Sequence, residues 1–222
     1  MTIEQAYIQF INLVDRNATN NNISVDKIRF VLMFNDIQNR YVEWLLEKRN
    51  EDAIRYIAPL LQTNVQISKV STYPTYDTFQ IPKDYFDFAN LSVTATKGSC
   101  KRQRLYTFEV KSEDVEELMA DVDNRPSFEF RETFYYTGDK KINVFKTDFS
   151  LDEAFLTYYR YPRQVSMEGT INLDNTNSQN VNPEWDDKVT GRILLAMAKE
   201  HSAINADGAS YQLDKDRVFS EI

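Results

Sequence analysis

The strongest constraint on the fold is a change of pattern along the chain, because helical periodicity at both ends encloses a long middle region of strand-like composition. From Val65 onward, Val, Ile, Thr, Tyr and Phe become frequent, and prolines and glycines divide the sequence into short segments. Such segments are typical of β-strands separated by turns. We therefore expect an α+β protein in which residues 63–181 form an inserted, antiparallel β domain. Residues 1–62 and 182–222 are expected to form a helical bundle together, with a C-terminal tail.

The N-terminal region predicts two helices joined by a polar, asparagine-rich loop. Thr2 and Gln5 fit a capping box, in which each side chain accepts a hydrogen bond from the other residue's backbone, and apolar residues then recur at helical spacing to about Asp15. Ser24 is predicted to cap a second, longer helix that ends near Arg49.

Two further helices flank the β region. Asn50 predicts the start of a third helix with apolar residues as far as Leu61, although Pro59 should kink or break it. Near the other end of the chain, Asn182 precedes a proline and predicts the start of a C-terminal helix that ends near Gly208.

Alternation of apolar and polar residues places the main strands of the β domain. Residues 128–136 and 142–145 predict a hairpin, since turn-forming residues separate them. Residues 112–119 predict a short acidic helix that interrupts the strands. The segment 154–161 is apolar or aromatic on both faces, so it should lie centrally in a sheet until Pro162 ends it.

Charge and hydropathy limit the class of protein. The formal net charge of −8 disfavours a protein whose main task is to grip a phosphate backbone, although it allows a wall past which DNA slides. The longest aliphatic stretch, 193–198, is far shorter than the ~20 residues of a membrane-spanning helix. The N-terminus lacks the pattern of a secretory signal, and a single cysteine fits a reducing compartment. We therefore expect a soluble, intracellular protein.

The residues needed for most enzyme chemistry are scarce. The only histidine, His201, falls within the C-terminal helix, where we expect it at the surface or the boundary of the core. Cys100 is expected to be a surface thiol. One histidine and one cysteine exclude a zinc cluster within the subunit, and no phosphate-binding glycine motif is present. We predict no catalytic residue, no cofactor and no metal, and hence no enzyme, although chemistry by carboxylates alone stays open.

Two charged segments have alternative interpretations. The acidic residues between Glu113 and Asp123 match no calcium-binding loop, which favours a solvated helix face. The basic residues Lys101, Arg102 and Arg104 could bind an acidic partner, or they could join aromatic residues in binding single-stranded nucleic acid. A carbohydrate-binding tail component is a further alternative for the β domain.

Aromatic and aliphatic residues near the C-terminus are candidate contacts with other chains. Trp185 lies on one face of the C-terminal helix. In the tail, Tyr211, Val218 and Phe219 are predicted apolar anchors, and Arg217 is a predicted charged contact. The alternative is that this tail packs back on the subunit's own helices.

A family resemblance rests on the order of several short motifs. N-terminal helices are followed by Phe79–Tyr85 (FQIPKDY), the strand end Tyr158–Pro162 (YYRYP), the helix after Asn182, and the segment Tyr211–Asp214. In this order the chain resembles the head-to-tail adaptor, or ring, proteins of short-tailed bacteriophages, and most closely those of crAss-like phages. The resemblance covers nearly the whole chain.

The resemblance implies a structural virion protein at the head-tail junction, assembled in the cytoplasm of the bacterial host. Identical subunits would form a ring, twelvefold by this resemblance, beneath the portal protein and above further tail rings. Genomic DNA would pass through its channel during ejection without specific binding. Neither a membrane nor a catalytic residue is implied.

Overall fold

The computed structural model describes residues 1–17, 25–48, 50–170 and 177–207. The chain divides into two compact units, and the protein is of the α+β class, as expected. Met1–Pro59 and the chain from Pro162 onward form what we call the helical unit, and Leu60–Tyr161 forms the β unit.

The described ranges contain five α-helices and eight β-strands. The helices are α1 (Ile3–Asn17), α2 (Lys27–Lys48), α3 (Glu51–Ile57), α4 (Val115–Ala120) and α5 (Asp187–Asp207). The strands are β1 (Leu61–Ile67), β2 (Lys69–Thr72), β3 (Tyr76–Gln80), β4 (Tyr85–Lys97), β5 (Cys100–Glu109), β6 (Glu132–Gly138), β7 (Lys141–Phe145) and β8 (Ser150–Arg160). No helix within these ranges is both long enough and apolar enough to cross a membrane.

The first two helices begin at side-chain caps. The capping box of α1 is confirmed, since the Gln5 N–H donates to Thr2 Oγ1 at 3.2 Å and the Thr2 N–H donates to Gln5 Oε1 at 3.0 Å. At the start of α2, the Asp26 carboxylate accepts a hydrogen bond from the Arg29 N–H at 2.6 Å. The predicted cap of this helix, Ser24, lies outside the described residues.

The third helix has its predicted cap but is shorter than expected. Asn50 Oδ1 accepts a hydrogen bond from the Ala53 N–H at 2.8 Å. After α3 the chain forms a 3₁₀ turn, Ala58–Leu60, and Leu61 already belongs to β1. The predicted continuation of the helix to Leu61 is therefore wrong. Pro59, which has no N–H to donate, stands where the helix gives way.

The predicted start of the C-terminal helix is also wrong. Asp186 caps α5, because its Oδ1 accepts a hydrogen bond from the Val189 N–H at 2.7 Å. Asn182, the predicted cap, instead accepts from the Ile3 N–H at 2.9 Å and so satisfies a free donor in the first turn of α1. Its partner is a residue far away in sequence.

Part of the loop after β8 packs with the helices. The Asn35 side chain on α2 donates to the Val165 carbonyl at 3.1 Å and accepts from the Val165 N–H at 2.8 Å. Val165 and Met167 are buried. The junction between the units thus lies before Pro162, whereas the sequence predicted it at 181/182.

The eight strands form one curled sheet in the order β1-β8-β4-β5-β6-β7-β3-β2. The strand predicted at 154–161 is an interior strand, since β8 lies between β1 and β4, but it is next to the edge strand and not at the centre of the sheet. The core contains side chains from β1 and from β3 to β8, and its larger members are Ile67, Phe79, Leu91, Val93, Leu105, Tyr135, Ile142, Val144, Leu151, Leu156 and Tyr158.

The predicted hairpin is present as β6 and β7, joined by a two-residue turn. Asp139 and Lys140 both have positive φ, 49° and 57°, as a type I′ turn requires. The first strand begins at Glu132, not at Phe128 as predicted.

One pair of strands contradicts the prediction of an antiparallel domain. β5 and β6 pair in parallel, with Tyr106 opposite Glu132 and Phe108 opposite Phe134. A parallel pair needs a crossover connection, and residues 110–131, which include α4, provide it. The acidic helix predicted at 112–119 is thereby confirmed as part of this crossover.

Candidate interaction surfaces

The basic segment forms the tip of the β4–β5 hairpin, where the predicted basic residues are exposed. Lys97 pairs with Cys100 across the turn, which Gly98 enters with a φ of 58°. Arg102 has a positive φ of 54°, and its N–H donates to Thr96 Oγ1 at 3.2 Å. The register shifts at this point, so Arg102 lies in a β-bulge.

One basic residue at this tip, Lys97, is neutralised within the chain. Lys97 Nζ lies 2.6 Å from Asp148 Oδ2 and also contacts the carboxylate of Glu129. The hydrogen bonds that Lys97 donates to these two carboxylates raise the pKa of Lys97 and lower the pKa of Asp148 and of Glu129. This part of the basic segment is therefore engaged in an intramolecular contact.

Further along β5, basic and aromatic side chains alternate with buried ones. Arg104 is exposed and Tyr106 is 75% exposed, whereas Leu105 between them is buried in the core. Phe108 follows on the outer face, with its ring 5.9 Å from that of Phe134. The period of two residues in a strand sets this alternation.

A groove of about 540 Å³ lies beside these residues. It is lined by Asn90, Leu91, Ser92, Gln103, Arg104, Leu105, Tyr106, Thr107 and Arg131. The pairing of β5 with β6 brings Arg131 to the groove. Its carbonyl accepts a hydrogen bond from the Tyr106 N–H at 2.7 Å, just before the parallel pair begins. The neighbouring Phe130 is 77% exposed. The β unit therefore presents an open groove with two guanidinium groups and an exposed aromatic ring.

Two of the motifs on which the family resemblance rests meet in the β unit. Tyr85 at the start of β4 pairs with Arg160 at the end of β8. The Tyr158 hydroxyl donates to Asp84 Oδ1 at 2.9 Å, and the Tyr161 N–H donates to the Asp84 carbonyl at 2.8 Å. Burial, above all, raises the pKa of Tyr158 to about 12. Tyr158 is a core residue, so its ring is not accessible for stacking with the bases of a single-stranded nucleic acid.

The C-terminal candidates divide between the core and the part of the chain that is not described. Trp185 is 5% exposed, its Nε1–H donates to Gln38 Oε1 at 3.2 Å, and its ring meets that of Tyr41 edge to face. Its indole therefore packs inside the subunit. Outside the described residues lie the four tail candidates, Tyr211, Arg217, Val218 and Phe219.

His201 is buried, which contradicts the prediction of a surface or boundary position. It lies on the inner face of α5, with its ring centroid 6.2 Å from that of Phe10. Burial, together with the charge of Arg29, lowers the pKa of His201. Cys100 is exposed, as predicted.

Several apolar residues on the helices point away from the core of the helical unit. Ile28 and Leu32, one turn apart on α2, are 48% and 57% exposed. Ile8 on α1 and Ile54 on α3 are also exposed. Apolar side chains on the outer face of an amphipathic helix are candidates for contact with another chain.

The acidic residues do not gather into a metal site in the structure. Within the described ranges, no group of three or more His, Cys, Asp or Glu side chains could hold a metal ion.

A search of protein-family models finds no match to this chain, and no curated protein matches its sequence.

Sequence reasoning missed two residues of the groove. Tyr106 had a local signal, because it continues the alternation of Arg102 and Arg104 with less polar neighbours along one strand. Arg131 had none, since only the parallel pairing of β5 with β6 brings it beside Tyr106.

Proposed function

We propose that this chain is a structural subunit of a head-to-tail connector, which forms a ring beneath the portal of a phage particle and extends its DNA channel. The partners are further copies of the chain, the portal protein and the next ring of the tail. In this proposal the helices of the helical unit act as a bundle that forms the lateral contacts of the ring. The chain has no catalytic role.

The observation that carries the proposal is the set of exposed apolar residues on the helices. Ile28 and Leu32 occupy the face of α2 opposite Phe30 and Phe34, which are buried. Among the described residues, the core of the helical unit does not account for apolar side chains at these two outward positions. Burial against a second copy would remove their remaining apolar surface from water. Since each side chain is already about half buried, the gain is roughly half of the 1.5–3 kcal/mol that full burial provides.

The architecture and the charge are compatible with this role. Helices from both ends of the sequence pack in one unit, so the β unit is an insertion that can carry separate contacts. The net charge of −8 would disfavour adhesion of DNA to the wall of a channel.

A paired substitution on α2 tests the proposal. We expect Ile28→Asp with Leu32→Asp to abolish ring formation, because two charges would have to be buried without partners. Ring formation would be measured by mass photometry of the purified chain with its candidate portal protein, and folding of the variant by circular dichroism.

A matched control uses an exposed apolar residue of the β unit. Val70→Asp introduces a charge at a position that is 52% exposed, and it should leave ring formation unchanged. Rings of normal mass from the folded Ile28→Asp, Leu32→Asp variant would contradict the proposed lateral contact.

A further inference from the structure

We propose that the groove beside Tyr106 binds the acidic segment 113–123 of a second copy of this chain. The inference deepens the proposed function and relies on it for the claim that copies assemble. It adds a specific electrostatic contact between β units to the lateral contact of the helices.

The basic side of the contact is free of intramolecular neutralisation. Lys101, Arg102, Arg104 and Arg131 are all exposed. Among the described residues, none of these four forms an ion pair, whereas Lys97 in the same hairpin contacts two carboxylates. Two of these cations, Arg104 and Arg131, line the groove together with the exposed Tyr106.

The acidic side lies on the crossover of the same unit. Glu116, Glu117 and Asp123 are exposed and form no ion pair within the described ranges. Glu113 has only a distant partner, with its carboxylate 3.7 Å from Lys111 Nζ. Val122, in the middle of these acids, is 69% exposed. The segment thus combines negative charge with an apolar side chain.

The groove and the acidic segment are complementary both in charge and in their exposed apolar side chains. Carboxylates would meet the guanidinium groups of Arg104 and Arg131, and Val122 would meet the rings of Tyr106 and Phe130. Since the two patches are different parts of one chain, they can form a head-to-tail contact, which generates a ring when the rotation between successive subunits closes. Charge complementarity of this kind also sets the orientation of the partners.

Assembly favours a second copy over a nucleic acid as the occupant. Net charge alone does not distinguish the two, because a phosphate backbone and a second copy with its own net charge of −8 are both anionic. The acidic segment instead carries the opposite charge locally, on a partner that assembly brings within reach.

A charge-swap experiment on the full chain tests the inference. One variant carries Arg104→Glu and Arg131→Glu, and the other carries Glu116→Lys and Glu117→Lys. Sedimentation velocity at low salt should show that each variant alone self-associates at least about tenfold more weakly than the unchanged chain. An equimolar mixture should recover association, because the acidic groove of the first variant then meets the basic segment of the second. The acidic segment of the first variant also meets the unchanged basic groove of the second.

The control variant changes the same number of charges elsewhere in the β unit. Lys83 and Lys140 are exposed, and Lys140 has a positive φ, as Arg131 does. Lys83→Glu with Lys140→Glu should therefore associate as the unchanged chain does. Circular dichroism of each variant shows whether it is folded.

Three results would overturn the inference: association that neither charge-reversed variant weakens, a mixture that does not recover, or binding of single-stranded DNA by a chain that does not self-associate. If rings still form on the portal with both variants, the groove contact is refuted and the proposed function stands. If the swap restores association but no ring ever forms on the portal, the proposed function is refuted and the groove contact stands.

Discussion

The two units bury polar groups in opposite ways. In the helical unit the buried polar side chains are neutral partners, such as Gln38, whose amide oxygen accepts from the Trp185 indole. In the β unit, Asp77 is 1% exposed and contacts two lysines, with its Oδ2 2.8 Å from Lys69 Nζ and its Oδ1 bonded to the buried Lys146. The units should therefore respond differently to loss of a charge and to a change of pH.

The difference follows from the cost of burying charge. A neutral polar group needs only a hydrogen-bond partner, but a buried ion needs a counter-charge, because the protein interior solvates it poorly. The β unit is thus the one that a single charge deletion should damage most.

The largest expected effect is that of Asp77→Ala. Removal of this carboxylate leaves Lys146 buried without a counter-charge, so the free energy of unfolding should fall by about 3–5 kcal/mol. Chemical denaturation followed by circular dichroism measures this change. Replacement of both ions, by Asp77→Leu and Lys146→Met, should cost less than the single change.

The fluorescence of tryptophan separates the units in the same experiment. Both tryptophans of the chain, Trp44 and Trp185, belong to the helical unit. If the units unfold independently, Asp77→Ala should move the transition seen by circular dichroism and leave the fluorescence transition in place. A variant as stable as the unchanged chain would refute the structural role of the buried ions.

A smaller effect is expected from acid on the helical unit, through His201. Because burial lowers the pKa of His201 in the folded chain, the unfolded state binds a proton first as the pH falls. The contribution of the neutral imidazole to stability is complete above the unfolded pKa of about 6.5 and is lost below it. The slope of the free energy of unfolding against pH, measured by tryptophan fluorescence between pH 5 and pH 7, reports this loss.

His201→Gln is the control for the pH effect. Glutamine does not titrate, so this variant should lose the slope between pH 5 and pH 7 and keep the decline at lower pH that carboxylates cause. An unchanged slope in the variant would assign the pH dependence to another group.

The smallest effect is expected for Lys97→Ala, which removes the centre of a cluster whose two carboxylates, Glu129 and Asp148, are exposed. Lys97 also contacts two carboxylates, but water and salt screen exposed ions. Its removal should change stability far less than Asp77→Ala, and this small loss of stability should shrink further at high salt. A loss as large as that of Asp77→Ala would show that exposure does not decide the strength of these clusters.

The parts of the fold that were predictable depend on residues close together in sequence. The caps formed by Thr2 with Gln5 and by Asn50 with Ala53 span three residues, and the β6–β7 turn has local chemistry at Asp139 and Lys140. The alternation of α and β regions likewise follows from local pattern.

The failures involve partners far apart in sequence. Asn182 looked like a helix cap because its own neighbours fit one, yet its side chain caps α1 at Ile3. His201 looked peripheral, since its sequence neighbours do not reveal Phe10 packing against it. Arg131 was missed as a groove residue for the same reason. The parallel pairing of β5 with β6 brings it beside Tyr106, and the local alternation of residues does not predict that pairing.

Self-assembly is the central claim, and electron microscopy tests it most directly. We expect the full chain to form closed rings of uniform diameter when it is mixed with its candidate portal protein, with the rings seated on one end of the portal. Particles that stay monomeric both alone and with the portal protein would contradict the claim.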